Sequence, residues 1–460
     1  MKKLSPIIIV LIFLFPVTAL SQYSDFDLSR YKLPDIRLNR LDATVNLNNT
    51  SSNDEHSGSF SSNSKSNIFQ GVLNLNYYYL RNTSKYQGLT TASVNLSANP
   101  YNFTSGNNKS EYTNNSATIQ VTSTNRFFNS GNNFLEIIPS ITSGLNSYSQ
   151  KNTPGSKSDS KQFDHEISMP VSVGHGRIEP VEDLRLAIYI LEELYKAGRI
   201  DNIPSDEVVL DMAKEISKII RTRFFDTRIM KIRELQVIDS FIVANKIVNK
   251  NDISYFAILN DQWDYASGPS RFSGFSVNAG IDNNISLNGS RTDNLLVSPD
   301  ASIDKNNIYF AGLFVALNYS KPVNLYWQSV IVFRTSYGDA FYVYPKDNTY
   351  VGYKDYSAGR FNSSLSYTIQ YLPNSRTSVS LTVQGKYMNQ KSTQSGTSEK
   401  DNYFTLYTGL NMYYYISPRL RLQITSSLSS SDDKTLTGVL TNKQTHLYLY
   451  NYLTLTYSFF

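Results

Sequence analysis

Apolar and polar residues alternate along most of this chain, in stretches bounded by breaks rich in Gly, Pro, Ser or Asn. A period of two is typical of a β-strand with one apolar and one polar face. The pattern predicts six strands before residue 175 and eight after residue 268. The predicted ranges are about 41–51, 69–81, 86–99, 113–128, 133–148 and 161–174, then 271–287, 307–319, 324–338, 358–372, 376–389, 402–416, 419–430 and 446–459.

The connections between the predicted strands alternate in length. Short connections follow the even-numbered strands, as at 82–85, 129–132 and 417–418, and long ones follow the odd-numbered strands, as at 52–67 and 288–306. The tight turns of an antiparallel sheet of this kind share one end of the strands, and both termini lie at that end. If a strand were missing from this count or counted twice, short and long connections would no longer alternate. The alternation therefore supports a total of about fourteen strands.

The stretch between Arg177 and Asp264 departs from the strand pattern. It holds 13 basic and 16 acidic residues, out of 43 and 38 in the whole chain. Pro180 and Gly198 bound a first predicted helix, Ser205 can cap a second, and a third is predicted at 227–248. A shorter helix is predicted at 253–263. Apolar residues at helical spacing indicate a small domain with its own core; they are Ala187, Ile190, Leu191 and Leu194, then Val208, Val209, Met212, Ile216, Ile219 and Ile220, then Ile229, Ile232, Leu235, Ile238 and Ile242.

The end of the chain carries a short alternating signal. Leu453, Leu455, Tyr457 and Phe459 alternate with Thr and Ser, and a second aromatic residue, Phe460, ends the chain. This ending resembles the closing strand of bacterial outer-membrane β-barrels, with Phe459 in the position of the terminal aromatic and Phe460 trailing it. The resemblance implies an all-β transmembrane antiparallel barrel of about 14 strands. It also implies insertion into the outer-membrane lipid bilayer by the barrel-assembly machinery.

The start of the chain predicts secretion. Lys2 and Lys3 precede an apolar run, and small residues then lead to predicted cleavage between Ser21 and Gln22. An uncleaved membrane anchor is the alternative, but the run is short and contains Pro16.

The predicted organisation has five parts. They are a signal peptide at 1–21, a periplasmic N-terminal arm at 22–40, barrel strands 1–6 at 41–174, a periplasmic helical insertion at 175–268, and barrel strands 7–14 at 269–460. The arm is either a flexible segment or a filling of the lumen. The insertion follows an even-numbered strand, so the prediction places it and both termini in the periplasm of a Gram-negative bacterium.

Composition narrows the class of protein. There are 34 Tyr, 24 Phe and no Cys, and after residue 22 no apolar run is long enough for a transmembrane helix. The absence of Cys excludes a lipoprotein anchor, disulfides and thiolate metal sites. The mean hydropathy of −0.34 agrees with strands whose second face is polar. A net charge of +5 does not indicate nucleic-acid binding.

No catalytic or cofactor site is predicted. The four histidines lie at no metal-binding spacing, so neither a metal nor a cofactor is expected. His165 and Ser168 point to opposite faces of a strand and cannot pair directly. The sequence therefore predicts a protein that is not an enzyme.

Basic residues on the strands are the candidate functional residues. In strand thirteen the Leu and Ile residues must meet lipid, which turns Arg419 and Arg421 inward. The same reasoning turns Glu136 and Glu166 inward, and Arg334 less clearly. The predicted lumen-lining basic residues are Arg126, Arg360, Arg376, Lys386, Arg419 and Arg421.

Two functions fit this pattern. The first is a channel or transporter for small polar solutes, with anionic solutes favoured if the arginines line the passage. The alternative is a non-conducting outer-membrane interaction or scaffold protein, in which a periplasmic protein partner docks on residues 177–264.

Overall fold

The computed structural model describes most of the chain beyond residue 25. The described ranges are 26–56, 62–105, 108–129, 131–153, 155–202, 204–220, 227–249, 252–265, 270–294, 301–345, 355–394, 397–417, 420–437 and 440–457. The predicted signal peptide with Ser21 and Gln22, Arg419, and the terminal Phe459 and Phe460 lie outside them.

Within these residues, one antiparallel sheet contains sixteen strands. In chain order they are β1 (Ile36–His56), β2 (Ser62–Asn82), β3 (Tyr86–Ser105), β4 (Asn108–Phe128), β5 (Asn133–Ile137), β6 (Ser140–Thr153), β7 (Ser156–Ser168), β8 (Val171–Pro180), β9 (Phe272–Asn294), β10 (Ser302–Pro322), β11 (Trp327–Val343), β12 (Tyr356–Tyr371), β13 (Thr377–Gln394), β14 (Thr397–Ser417), β15 (Leu420–Thr437) and β16 (Leu440–Tyr457).

Two of the predicted strands are each broken into two segments. β5 and β6 both pair with β4, and β7 and β8 both pair with β9, so the sixteen segments occupy fourteen successive positions in the sheet. The breaks contain Pro139 and Pro170, which lack the N–H group that a ladder needs. At the second break the side chain of Asn283 takes the place of the missing backbone hydrogen bonds. It accepts from the Met169 N–H at 2.8 Å and donates to the Met169 carbonyl at 2.9 Å.

The two faces of the sheet differ in polarity. One face exposes large apolar residues, among them Ile281, Leu313 and Leu365. We call it the outer face. The opposite, inner face carries mainly Ser, Thr, Asn and charged residues. Ile36 and Leu80 on this face pack into the core formed by the helices.

Four helices lie between β8 and β9. They are α1 (Glu182–Lys196), α2 (Asp206–Ile220), α3 (Thr227–Ala244) and α4 (Ile253–Asp264). α1 is the central helix, since most of its residues are buried. None of the helices in the described part of the chain is long and apolar enough to cross a bilayer.

The core of the helices extends beyond the segment that was predicted to contain it. Ile216, Ile238 and Ile242 are buried there as expected, but Leu28 and Tyr31 of the N-terminal segment and Leu325 of a sheet turn belong to the same core. The prediction of a separate core is therefore corrected to a shared one. Ile232, predicted on the core side of the third helix, is 67 % exposed.

Two predicted boundaries also move. β1 begins at Ile36, inside the predicted arm at 22–40, and a short 3-10 helix (Leu28–Arg30) precedes it. The arm is anchored, because Leu28 and Tyr31 are buried and the Tyr31 hydroxyl contacts the Ala213 carbonyl at 3.3 Å. The helices begin at Glu182 rather than near 175, because β8 continues to Pro180.

The sheet has two edge strands within the described residues. β1 pairs only with β2, and β16 pairs only with β15. Both edges carry exposed apolar side chains on the outer face, including Val45 and Leu447.

Candidate functional site

A row of inner-face residues crosses six neighbouring strands. The register pairs Arg334 with Ser364, Ser364 with Lys386, and Lys386 with Thr405. The row continues through Ser431 to His446. We call these six residues the basic rung. Strands lie about 4.8 Å apart, so the backbones of Arg334 and Lys386 are separated by about 10 Å, with only a serine between them.

A cavity of about 470 Å³ opens above this rung. Arg334 and Lys386 bring positive charge to it, and Asp282 brings negative charge. Short side chains of the rung leave the space open between the longer ones. The lining residues are Asp282, Arg334, Ser336, Asn362, Ser363, Ser364, Lys386, Tyr387, Met388, Tyr403 and Thr405.

The two cations of the cavity have different partners. Arg334 donates to Asp282 at 2.8 Å and lies 3.9 Å from the centroid of the Phe314 ring. Lys386 is exposed, and no ion pair is seen for it in the part of the chain that the structure describes. The strand neighbours of Lys386 are Ser364 and Thr405, which carry no charge. Lys386 is thus available to an anion that enters the cavity.

Arg360 lies nearer the long-loop end of the same face. Its Nη2 atom donates to the Tyr342 hydroxyl at 2.6 Å and to Gln390 Oε1 at 2.9 Å. Both partners are neutral, so Arg360 keeps its net positive charge.

On the strands before the helices, the charge of the inner-face arginine is neutralised by an acidic residue. Arg126 lies directly across the strand pair from Glu136, and its Nε atom donates to that carboxylate at 2.5 Å. Glu136 is almost fully buried and also accepts from Asn278 at 2.8 Å and from Ser172 at 3.2 Å. Glu166 also lies on the inner face, where Asn284 donates to it.

The remaining predicted basic residues lie near the short turns. Arg376 donates to both carboxylate oxygens of Asp261 in α4, at 2.6 and 2.7 Å, so it fixes a helix to the sheet rather than lining an open passage. Arg421 faces inward beside the Tyr413 ring, at 5.8 Å from the ring centroid. Arg419 lies outside the described residues.

The helical segment lies across the short-turn end of the sheet. Arg271, fully buried, donates to the carbonyls of Asn324, Leu325 and Trp327 in the turn after β10. The Tyr189 hydroxyl of α1 donates to the Leu372 carbonyl at 3.0 Å, in the turn after β12. On the far side, Leu80 near the end of β2 packs against the core that the helices form. Contacts this far apart along the sheet make the helices a cap.

Burial beneath this cap shifts the pKa of two ionisable groups. It lowers the pKa of the Arg271 guanidinium to about 9, with the nearby Arg185 acting in the same direction. Arg271 therefore remains protonated at neutral pH, where it bonds several backbone carbonyls. Burial also raises the pKa of the Tyr189 phenol, which stays a hydrogen-bond donor.

Catalytic and metal chemistry find little support in the described residues. Ser143 and His165 form a hydrogen bond of 2.9 Å on the outer face. The sequence did not predict this pair, because Ser143 lies on the neighbouring strand. On the outer face the neighbours of His165 are Ser143, Leu287, Phe163 and Ile167, while Asp164 and Glu166 point to the other face. None of these outer-face neighbours is an acid that could orient the imidazole. No three His, Asp or Glu side chains in the described ranges converge as metal ligands.

The predicted terminal signal is described only in part. Leu453 and Leu455 lie on the outer face of β16, highly exposed. The backbone of Tyr457 ends that strand.

Comparisons with known proteins give no family. No family model matches the chain, and no curated protein matches it. Among solved structures, the chain is similar to the translocator domain of the autotransporter NalP from Neisseria meningitidis, with 8 % identity, a TM-score of 0.27, and coverage of 83 % of this chain and 89 % of that one. It is also similar to a deltaS2 mutant of the monoaromatic hydrocarbon channel TodX, with 8 % identity, a TM-score of 0.26, and coverage of 94 % and 92 %. Similarity at this level does not bear on function.

Proposed function

We propose that this protein is an outer-membrane β-barrel that conducts small polar solutes and prefers anions. The observation that carries the proposal is the inner face of β11–β13, where Lys386 and Arg360 have no acidic partner in the described residues and lie beside a cavity of about 470 Å³. Positive charge on the wall of a narrow aqueous passage attracts anions and repels cations.

The outer face supports a membrane position. Its exposed Leu, Ile, Val and Tyr residues follow the alternation that bacterial barrels present to lipid. An unpaired strand edge in lipid costs several kcal/mol for each unsatisfied group. The proposal therefore includes closure of β1 on β16, which run antiparallel because the number of sheet positions is even. It also includes recognition of the terminal strand by the barrel-assembly machinery.

The proposed orientation puts the short turns, the helical cap and both termini in the periplasm. Bacterial barrels have short periplasmic turns and longer external loops. A solute that enters from outside then reaches Arg360 first, next the basic rung, and last the cap. In this scheme the protein has no catalytic role.

A bilayer experiment tests the conduction. Purified protein is inserted into planar bilayers, and reversal potentials are measured in a salt gradient at low and high ionic strength. We expect anion preference at low salt, which weakens at molar salt because the screening length falls to about 3 Å. The double variant Lys386→Gln/Arg360→Gln should lose most of that preference. Cation preference in the unmodified protein would contradict the charge assignment.

A second function is favoured by a different surface. The helical cap exposes Ile253 (87 %) and Phe256, which lie one turn apart on α4, and apolar side chains exposed together mark interaction sites. A non-conducting protein that docks a periplasmic partner through residues 177–264 would use this surface. Folded barrels that show no conductance, even after deletion of 182–264, would favour this second function.

A further inference from the structure

Four aromatic rings form a ladder along β16. His446, Tyr448, Tyr450 and Tyr452 follow one another at every second residue, with successive ring centroids 6.0, 6.1 and 6.4 Å apart. Their ring planes are inclined by only 15°, 16° and 6°. At a strand rise of about 3.3 Å per residue, the ladder is about 20 Å long.

The register puts this ladder on the inner face. Tyr450 lies across from Ser427 and Tyr448 across from Ser429, whereas the alternate residues Leu449 and Leu453 lie across from apolar residues of the outer face. β16 is an edge strand, which raises the exposure of its side chains. The direction in which they point does not depend on that edge, because the pairing with β15 fixes it.

The ladder begins at the basic rung. His446 is the last residue of the rung, and the next row toward the cap contains Tyr407, Ser429 and Tyr448. Tyr407 lies on β14, between Lys386 on β13 and the ladder on β16. Tyr407 thus lies about 10 Å from the ladder, on the side of the cavity, where Tyr403 is part of the lining.

We propose that the ladder and the basic rung together bind a linear anionic oligosaccharide, of the uronic-acid type. This inference rests on the proposed function and names its substrate class. The sugar rings at one end of the chain lie on the tyrosine rings. β13 lies three strands, about 14 Å, from β16, so the other end of the chain crosses Ser431 and Thr405 and its carboxylates reach Lys386. The class of ligand follows from the combination of a long aromatic surface, many hydroxyl groups and unpaired positive charge.

Each part of the site matches one part of such a ligand. The face of an aromatic ring is electron-rich and attracts the C–H groups that cover the faces of a pyranose. Ser429 and Ser431, partly exposed on the neighbouring strand β15, offer hydroxyl groups beside the rings for the rim of the sugar. A ladder of about 20 Å offers separate contacts to several rings in a row, so a chain should bind more tightly than a single sugar.

Binding is measured by isothermal titration calorimetry on the detergent-solubilised, heat-modifiable protein. The probes are hexagalacturonate, the neutral maltohexaose, and galacturonate monomer. We expect hexagalacturonate to bind, maltohexaose to bind at least about tenfold more weakly, and the monomer to show no measurable heat. The triple variant Tyr448→Leu/Tyr450→Leu/Tyr452→Leu should weaken hexagalacturonate binding on the order of tenfold or more.

Matched variants keep the test specific. The corresponding triple substitution to Phe retains the rings and should retain most of the affinity, even if the Leu variant folds poorly. Tyr367→Leu, on the outer face of β12, should change nothing. Lys386→Gln should weaken the acidic hexasaccharide and leave maltohexaose unchanged.

Each contrary result has a defined meaning. Equal affinity of the Leu variant and the unmodified protein, equal affinity for the neutral and acidic hexasaccharides, or no binding by a conducting barrel would overturn the inference and leave the proposed channel standing. Binding that depends on the tyrosines in a barrel that never conducts would support this site and overturn the channel.

Discussion

The two halves of the inner face use the same residue types for different purposes. Arg126, on the strands before the helical cap, is almost buried and forms an ion pair with the buried Glu136. Lys386, on the strands after the cap, is exposed, and no charged partner for it is seen in the described ranges. The difference lies in what stands across the strand pair: an acid opposite Arg126, but only Ser364 and Thr405 beside Lys386. For these two residues, the register neighbour accounts for whether the basic side chain is neutralised.

The largest effect is expected from breaking the neutralised half. Glu136→Ala removes the carboxylate and leaves Arg126 with an uncompensated charge, together with unsatisfied donors on Ser172 and Asn278. We expect a loss of about 3–5 kcal/mol in the free energy of unfolding. Denaturant titration in detergent micelles, followed by heat-modifiability on gels, measures it. A loss below about 1 kcal/mol would show that the two halves do not differ in this way.

A smaller effect is expected where an ion pair borders the open half. Asp282→Asn frees Arg334 in the cavity, so anion preference in bilayer reversal potentials should rise above that of the unmodified protein. The pair is only half-buried, and its loss should cost at most about 1 kcal/mol of stability. Unchanged selectivity would mean that Arg334 does not face the conducting path.

The smallest effect on stability is expected from Lys386→Gln. The side chain is exposed and without an ion pair among the described residues, so the free energy of unfolding should stay within about 0.5 kcal/mol. Anion preference should nevertheless fall in the same preparation. A stability loss comparable to that of Glu136→Ala would erase the distinction between the two halves.

Much of the sheet could be predicted from the sequence, because alternation is a local signal. Each range predicted as a strand overlaps a strand segment of the structure, and the connection predicted at 82–85 lies where β2 ends at Asn82 and β3 begins at Tyr86. The breaks at Pro139 and Pro170 were missed, since the alternation continues on both sides of them. Proline within a strand was the available signal.

The candidate site could be predicted only in part. Alternation indicated which way Arg126, Arg360 and Lys386 point, because direction depends on the strand alone. It did not show that Arg126 meets Glu136 or that Arg376 meets Asp261, because those partners depend on register and on the docking of α4. The rung from Arg334 to His446 was missed for the same reason, as it spans six strands.

The shared core of the cap has a consequence for the order of assembly. Tyr31 contacts Ala213 across a sequence separation of 182 residues, and Tyr189 contacts Leu372 across 183. Contacts of such long range must close large chain loops before they stabilise anything, which delays them relative to the local hairpins. The helices therefore acquire their final seat only after strands on both sides of them have been made and paired. Until then the short-turn end of the sheet is not covered by the helices. The segment that reaches its final packing last therefore lies in the middle of the chain.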